Sequence, residues 1–225
     1  MVVLSIGGSL INPGEPDVVF LQNMARLLRR VSKRHPVAIV AGGGVVARQY
    51  AEAMRKVGGS EFEADEAAIL STRQNAMLLI AALNGAAYPK VPLDFDEASR
   101  ASLSHRIVIM GGTIPGITTD TDAALLAEKL HASRLVNLSN IDAIYSGDPK
   151  RDKRARRFTQ LSYDKLIELA SAADKRRAGT NFVFDLLACK IIARSGIETH
   201  FVHGRDLESV ERAIDGLKHK GTVVR

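Results

Sequence analysis

Val37-Ala38-Ile39-Val40-Ala41-Gly42-Gly43-Gly44-Val45-Val46-Ala47-Arg48 is an apolar, β-branched run that stops at three glycines and turns at once into a helical pattern. Tyr50, Ala51, Met54 and Val57 continue the apolar spacing of Val46 and Ala47. A strand feeding a helix through consecutive glycines exposes backbone N–H groups at a helix N-terminus, where the partial positive charge suits a phosphate. An ordinary glycine turn in a β-α unit would look much the same. The chain, however, repeats the arrangement at Gly7-Gly8-Ser9 and at Gly111-Gly112-Thr113, each after another apolar run.

Working outward, Val2 to Ile6 reads as a buried strand, and Asn12-Pro13-Gly14-Glu15-Pro16 as a turn-rich loop. Phe20, Leu21, Met24, Leu27, Leu28 and Val31 predict an amphipathic helix near residues 17 to 33. A second helix is expected from about Ala64 to Leu83, opened by Glu63, Asp65 and Glu66, so Asp65 has an ordinary reading as a helix-start acid. Ala87 to Val91 reads as a short edge strand and Arg106 to Met110 as a stronger one. Asp120-Thr121-Asp122 is expected to cap a helix from Ala123 to Leu130. A strand at Leu135 to Leu138 follows, then a turn from Ile141 to Pro149 that leaves the sheet. Helices are expected at Ser162 to Ala172, at Phe184 to Ser195 and through Leu207, Val210, Ile214 and Leu217; strands at Thr199 to His203 and Gly221 to Val224. Strands alternating with helices predict an α/β chain with a mostly parallel sheet covered on both faces.

At 225 residues the chain can bury a full core as one domain or two fused lobes, with any seam near Ala132 to Leu135. It opens directly on strand-like sequence, which reads as lacking a signal peptide, and no apolar run reaches membrane-spanning length. A single cysteine, Cys189, in a helical stretch, fits a reducing cytoplasm and a core position. The formal charge is +6, densest at Lys150 to Arg157, but only Phe158 accompanies that run. A solvated loop is therefore expected there rather than a nucleic-acid surface. The six histidines show no ligand spacing, and no metal-ligand set is read from the sequence.

In an open parallel sheet ligands gather beyond the carboxyl ends of strands, so the three glycine turns can line one edge and serve ligands with several phosphates. None of them carries the Walker or dinucleotide glycine spacing. Arg48, one helical turn past the triplet, can offer its fork to phosphate oxygens. Thr118-Thr119-Asp120 presents two hydroxyls and a carboxylate at a helix start.

Together these motifs resemble the amino-acid kinase family, and within it the uridylate kinase branch, over essentially the whole chain. The resemblance is carried by Gly42 to Arg48, by Asp65 with Asn75, by Gly111 to Asp120 and by Asp142 to Pro149. Ile6 to Ser9 and Asp185 to Lys190 are closest to the archaeal members. It implies a three-layer α/β/α sandwich, a hexameric assembly, and transfer of the ATP γ-phosphoryl group to UMP with Mg²⁺. It also implies a UMP lobe over about residues 1–133 and an ATP lobe over about 134–225. Carried over residue by residue, Gly43, Asp65 and the run Gly112, Thr113, Ile114, Pro115, Gly116, Ile117, Thr118 and Thr119 would hold UMP. Gly7, Gly8, Ser9, Gly44, Ser139, Asn140, Tyr145 and Asp148 would hold ATP. Arg48 would lie between the phosphate chains, as a catalytic and ATP-contacting group. Ser5 departs from the family's frequent lysine, leaving Arg48, Mg²⁺ and Lys190 as candidates to neutralise the transferring group. Competing readings are a sister kinase of the same fold acting on a carbamate, an acylated amino acid or isopentenyl phosphate, and a non-catalytic nucleotide sensor or nucleic-acid-binding regulator. The isoprenoid kinases of the fold carry a histidine where Arg48 stands here.

Overall fold

The computed structural model describes residues 1–147, 154–174 and 184–225. Its centre is β1 (Val2–Ile6), buried along its whole length, as a strand covered on both faces must be. Parallel neighbours flank it in exact step, β2 (Val37–Ala41) from Val2↔Val37 to Ile6↔Ala41 and β4 (Arg134–Ser139) from Val2↔Arg134 to Ile6↔Leu138. Beyond β2 lies β3 (Ile107–Met110), and beyond β4 lies β8 (Thr199–His203), both also parallel. The far side is closed by β9 (Thr222–Val224), antiparallel to β8, and β7 (Gln160–Leu161), giving the order β3-β2-β1-β4-β8-β9-β7. A separate two-strand ladder joins β5 (Ile144–Tyr145) to β6 (Arg157–Phe158).

Alternation along the strands splits the core into two layers. Leu4, Ile6 and Ile39 face α2 (Val18–Val31), α4 (Glu61–Leu83) and α9 (Leu207–Ile214). Val3, Ala38 and Val40 face α5 (Phe95–Ser102), α6 (Thr119–Lys129), α7 (Tyr163–Asp174) and α8 (Leu186–Ser195). The two remaining helices, α1 (Gly8–Ile11) and α3 (Gly44–Lys56), spring directly from the first two glycine turns. Sandwich architecture and parallel sheet are as the sequence predicts. Among the described residues no helix is long and apolar enough to cross a membrane.

Several local expectations need correction. Ala87 to Val91 forms no strand: Tyr88 N–H donates to Ile107 O at 2.8 Å, but Pro89 and Pro92 bring no donors to extend a ladder. The helix expected from Ala64 begins at Glu61, because Ser60 and Glu63 form a reciprocal capping box. Asp65 is thus not the cap. Likewise α6 begins at Thr119, and its cap is Thr118, whose hydroxyl accepts the N–H of Asp120 and of Thr121. The last helix stops at Ile214, ended by Gly216 at φ +72°, and Leu217 lies outside it and exposed. Of the basic run, Lys150 to Lys153 fall outside the described residues, while Arg154, Arg156 and Arg157 are exposed. Cys189 is buried in the α8 layer, and burial holds its thiol well above the usual range.

The chain runs from β1 outward through β2 to β3, then returns to place β4 on the other side of β1. The order reverses between β1 and β4, and in open α/β sheets that is where a crevice opens beyond the strand ends.

Candidate active site

At that edge the first two glycine turns touch through bare backbone. A Cβ on Gly8 would lie 2.0 Å from the nitrogen of Gly44 and 2.5 Å from the carbonyl carbon of Gly42. Gly44 sits at φ +72°, a left-handed conformation in which its own Cβ would meet the carbonyl oxygens of Asn12 and Gly8. Gly42 N–H donates to Ile6 O at 2.9 Å and Gly7 N–H to Leu138 O at 2.8 Å, so the turns extend the β1–β2 and β1–β4 pairings by one rung. From the layer behind, the buried Asn75 amide donates to Gly42 O at 2.7 Å. Arg48, on α3, is exposed and makes no hydrogen bond or ion pair among the described residues.

The third turn is held from below by side chains. Gly112 N–H donates to Thr72 Oγ1 at 2.7 Å, and Thr113 gives its hydroxyl to Asp122 at 2.5 Å and its N–H at 3.3 Å. Arg73 donates to the carbonyl oxygens of Gly112 and Thr113, both at 3.3 Å. At the loop tip Gly116, at φ +88°, donates its N–H to Asp65 at 2.8 Å. The backbone N–H groups of Ile114, Ile117, Thr118 and Thr119 have no partner among the described residues.

Three carboxylates gather where α6 and α8 begin. Asp120 accepts the Ser5 hydroxyl at 2.8 Å and the Asn137 amide at 2.9 Å; burial and the nearby charge of Asp185 raise its pKa to about 7 despite those two bonds. Asp122 is pushed by burial to about 6, against the bonds from Thr113. Asp185 caps α8 through the N–H of Ala188 at 2.9 Å, and accepts the hydroxyls of Thr118 and Thr121. Across the crevice, at the end of β4, Asn140 donates to the Ser9 hydroxyl at 3.0 Å. Ser139 folds back on Ile141, and Tyr145 donates to Asp142 at 3.0 Å.

The structure therefore brings Gly7, Gly8, Ser9, Gly43, Gly44, Ser139 and Asn140 to one strand edge and ties Asp65 to the 112–119 loop. Asp148 lies outside the described residues. Ser5 is buried and committed to Asp120, and Lys190 is exposed on α8 without an ion pair among the described residues. Sequence reasoning missed Thr72, Arg73, Asp122 and Asp185. The signals were present as Asp-x-Asp in Asp120 to Asp122 and as an acid ahead of an apolar helix at Asp185, but both have the signature of ordinary capping.

Comparison with known proteins gives three concordant findings. The model of the amino acid kinase family matches residues 1–203. Curated relatives include a uridylate kinase of Thermococcus sibiricus, 45% identical over 223 residues, covering 99% of this chain and 98% of the relative. Another is a uridylate kinase of Archaeoglobus fulgidus, 44% identical with 99% of both chains covered. The crystal structure of uridylate kinase from Archaeoglobus fulgidus is similar at TM-score 0.89 and 43% identity, covering 100% of this chain and 99% of that one. A UMP kinase structure from Bacillus anthracis, at 19% identity and TM-score 0.82 over 100% and 95% of the two chains, shares the fold.

Proposed function

Because the chain belongs to the amino acid kinase family, we infer that it is a nucleoside monophosphate kinase that transfers the γ-phosphoryl group of ATP to UMP, giving UDP and ADP. Uridylate kinases at 43–45% identity over nearly the full chain support the acceptor. The single observation that carries the site is the backbone-to-backbone approach of Gly8 to Gly42 and Gly44, which joins two glycine turns at the switch point of the sheet.

In this reading Gly7, Gly8, Ser9, Gly44, Ser139, Asn140, Tyr145 and Asp148 serve ATP, from the half of the crevice next to β4. Gly43, Asp65 and the Gly112 to Thr119 loop serve UMP. The halves divide near residue 133. Gly112, Thr113 and Gly116 have their N–H groups committed to Thr72, Asp122 and Asp65, so they shape the loop. The N–H groups of Ile114, Ile117, Thr118 and Thr119, which have no partner among the described residues, remain for the acceptor phosphate. The attacking atom is itself a phosphate oxygen, largely ionised at neutral pH, so no general base is required. What the transfer needs is alignment and stabilisation of charge spread over the moving group. Arg48, exposed on α3 and without an ion pair among the described residues, supplies a cation between the two phosphate chains.

Mg²⁺ fits as an ion carried on nucleotide phosphates. Among the described residues no three acidic, histidine or cysteine groups converge to cage a metal, and Mg²⁺ keeps mainly water and phosphate ligands. When bound, it would neutralise charge on the nucleotide phosphates. A homohexamer in the cytoplasm completes the proposal. Exposed Phe62, Leu70 and Met77 give α4 an apolar outer side suited to a second copy.

The test is ADP release measured with UMP, CMP, carbamate and isopentenyl phosphate. UMP is expected to lead, and an activity profile led by another acceptor overturns the assignment. Salt-sensitive binding of DNA or RNA without ATP turnover would favour the non-catalytic reading.

A further inference from the structure

Among the described residues Asp185 makes no hydrogen bond to the glycine turns, yet its carboxylate holds together two segments that are far apart in sequence. It belongs to the start of α8, where it accepts the Ala188 N–H at 2.9 Å. It also accepts the Thr121 hydroxyl, 3.0 Å from each carboxylate oxygen, and the Thr118 hydroxyl. Thr118 and Thr121 lie 67 and 64 residues earlier in the chain, at the start of α6. A carboxylate there also faces two helix N-termini, where negative charge is stabilised.

The bonds around Thr118 fix the direction of its proton. Its oxygen accepts the N–H groups of Asp120 and Thr121, both at 3.2 Å, which uses its two lone pairs. The hydroxyl proton is then free only to be donated, and Asp185 is the acceptor. The Thr118 hydroxyl is thus fully engaged within the protein, and Asp185 completes its set of bonds. Thr118 in turn closes the loop whose other end is held by Thr72, Arg73 and Asp122.

We propose that Asp185 is a positioning residue of phosphoryl transfer, which latches the end of the acceptor loop to α8 through the Thr118 hydroxyl. The inference rests on the reading above, in which residues 112–119 hold the acceptor. Through this latch the loop that receives UMP is anchored on a helix from the other half of the chain. The carboxylate contacts neither substrate. Its effect is to keep the Thr118 and Thr119 backbone where the acceptor phosphate needs it.

Asp185→Asn is nearly isosteric and retains one oxygen for the Ala188 cap, and asparagine caps helices as well as aspartate. Its amide, however, is a donor where Thr118 needs an acceptor. Thr118→Val removes the hydroxyl at nearly constant shape, and with it the α6 cap, whereas Thr118→Ser keeps both. The experiment measures KM for UMP, KM for ATP, kcat and Tm for wild type, the three single variants and the Asp185→Asn/Thr118→Val double variant. Asp185→Asn and Thr118→Val are each expected to raise the KM for UMP by roughly 10-fold or more, the loss that follows a broken hydrogen bond to an ionised group. The KM for ATP should stay within about 2-fold, and the double variant should be little worse than Thr118→Val alone, because that substitution already breaks the latch. Thr118→Ser should restore the wild-type KM.

If Asp185→Asn changes only Tm, or raises the KM for ATP instead, the residue is a cap and the proposal falls. Multiplying effects in the double variant overturn it equally. Should Asp185→Asn not fold, the Thr118→Val and Thr118→Ser pair decides, and equal UMP constants for the two refute the latch. These results are read against wild type. No UMP turnover by wild type sinks the functional reading and the latch with it, whereas an active wild type with unaltered variants sinks the latch alone.

Discussion

Gly8→Ala is the substitution that tests the architecture of the crevice most directly. The new methyl group would sit 2.0 Å from Gly44 N, 2.5 Å from Gly42 C and 2.6 Å from Gly42 O, all of them backbone atoms that no rotamer change can move. Ordinary carbon contacts lie at about 3.5–4.0 Å, so the turns must part by more than about 1 Å. Overpacking of this kind costs typically about 1–3 kcal/mol, which for a chain of this size lowers Tm by about 2–12 °C. A displacement near 1 Å between groups that align two reacting phosphates costs on the order of 10²-fold in rate. Gly7→Ala is the comparison. Gly7 lies at φ −54° and ψ 128°, open to any residue, and its Cβ would meet Leu138 O at 3.1 Å and Ser139 Cα at an ordinary 3.8 Å. Gly7→Ala should therefore melt within about 4 °C of wild type. Thermal melts and a coupled ADP assay on both variants give the answer. If Gly8→Ala keeps wild-type Tm and turnover within about 3-fold, or if Gly7→Ala is the more damaging of the two to Tm, the contact between the turns is not what builds the site.

Arg48→Ala should lower kcat by up to roughly 10³-fold with little change in the KM for UMP or in Tm, because the side chain is exposed and makes no hydrogen bond or ion pair among the described residues; near-normal turnover in steady-state assays would remove it from the proposed site. Asp65→Asn should lose most of the preference for UMP over dUMP, worth about 10-fold or more, at nearly unchanged Tm. Ser60 and Glu63 already cap that helix, so a lower Tm with the preference intact would reduce Asp65 to its bond with Gly116. Asp120 has its pKa raised from 3.8 to about 7, so its contribution to stability is complete below about pH 4 and lost as pH rises through 7. Asp120→Asn, which still accepts from Ser5 and Asn137, should exceed wild type in Tm at pH 8, by roughly 1–4 kcal/mol of stability, and match it near pH 4; a difference that is constant across a pH series of melts would refute this.

The fold was legible because its signals are local. Central parallel strands buried on both faces must be apolar throughout, and Val2 to Ile6, Val37 to Ala41 and Ile107 to Met110 show it. Glycines that follow such runs had to be turns. What could not be read is which turn touches which, since the contact of Gly8 with Gly44 depends on sheet order and not on neighbours in sequence. Side chains acting across long separations were hidden for a related reason. Thr72 and Arg73 sit in an Ala- and Leu-rich helix and look like filler until the 112–113 loop is laid over them. Asp122 and Asp185 carry the same residue signature as ordinary helix-start acids, and Asp185 is indeed a cap as well as a long-range acceptor. Edge elements failed where prolines intervene, as at Ala87 to Val91.

The division of labour in the 111–119 loop has an energetic consequence. A loop that had to find its shape as the ligand arrived would draw on binding energy for ordering, and that energy could not then favour the transition state. Here Thr72, Arg73, Asp122 and Asp65 settle the carbonyl oxygens of Gly112 and Thr113 and three of the N–H groups in advance. Asp122 is costly to bury, with its pKa raised to about 6, and Asp120 beside it is raised to about 7. Apolar residues of similar size would make a more stable edge. Asp122 is the acceptor that holds the Thr113 N–H and hydroxyl, and Asp120 holds the Ser5 hydroxyl and the Asn137 amide, so the instability they introduce is localised at the start of α6. Two buried carboxylates raised in pKa at the carboxyl end of the central strands are what a site built for chemistry instead of packing would carry, which agrees with the proposed crevice.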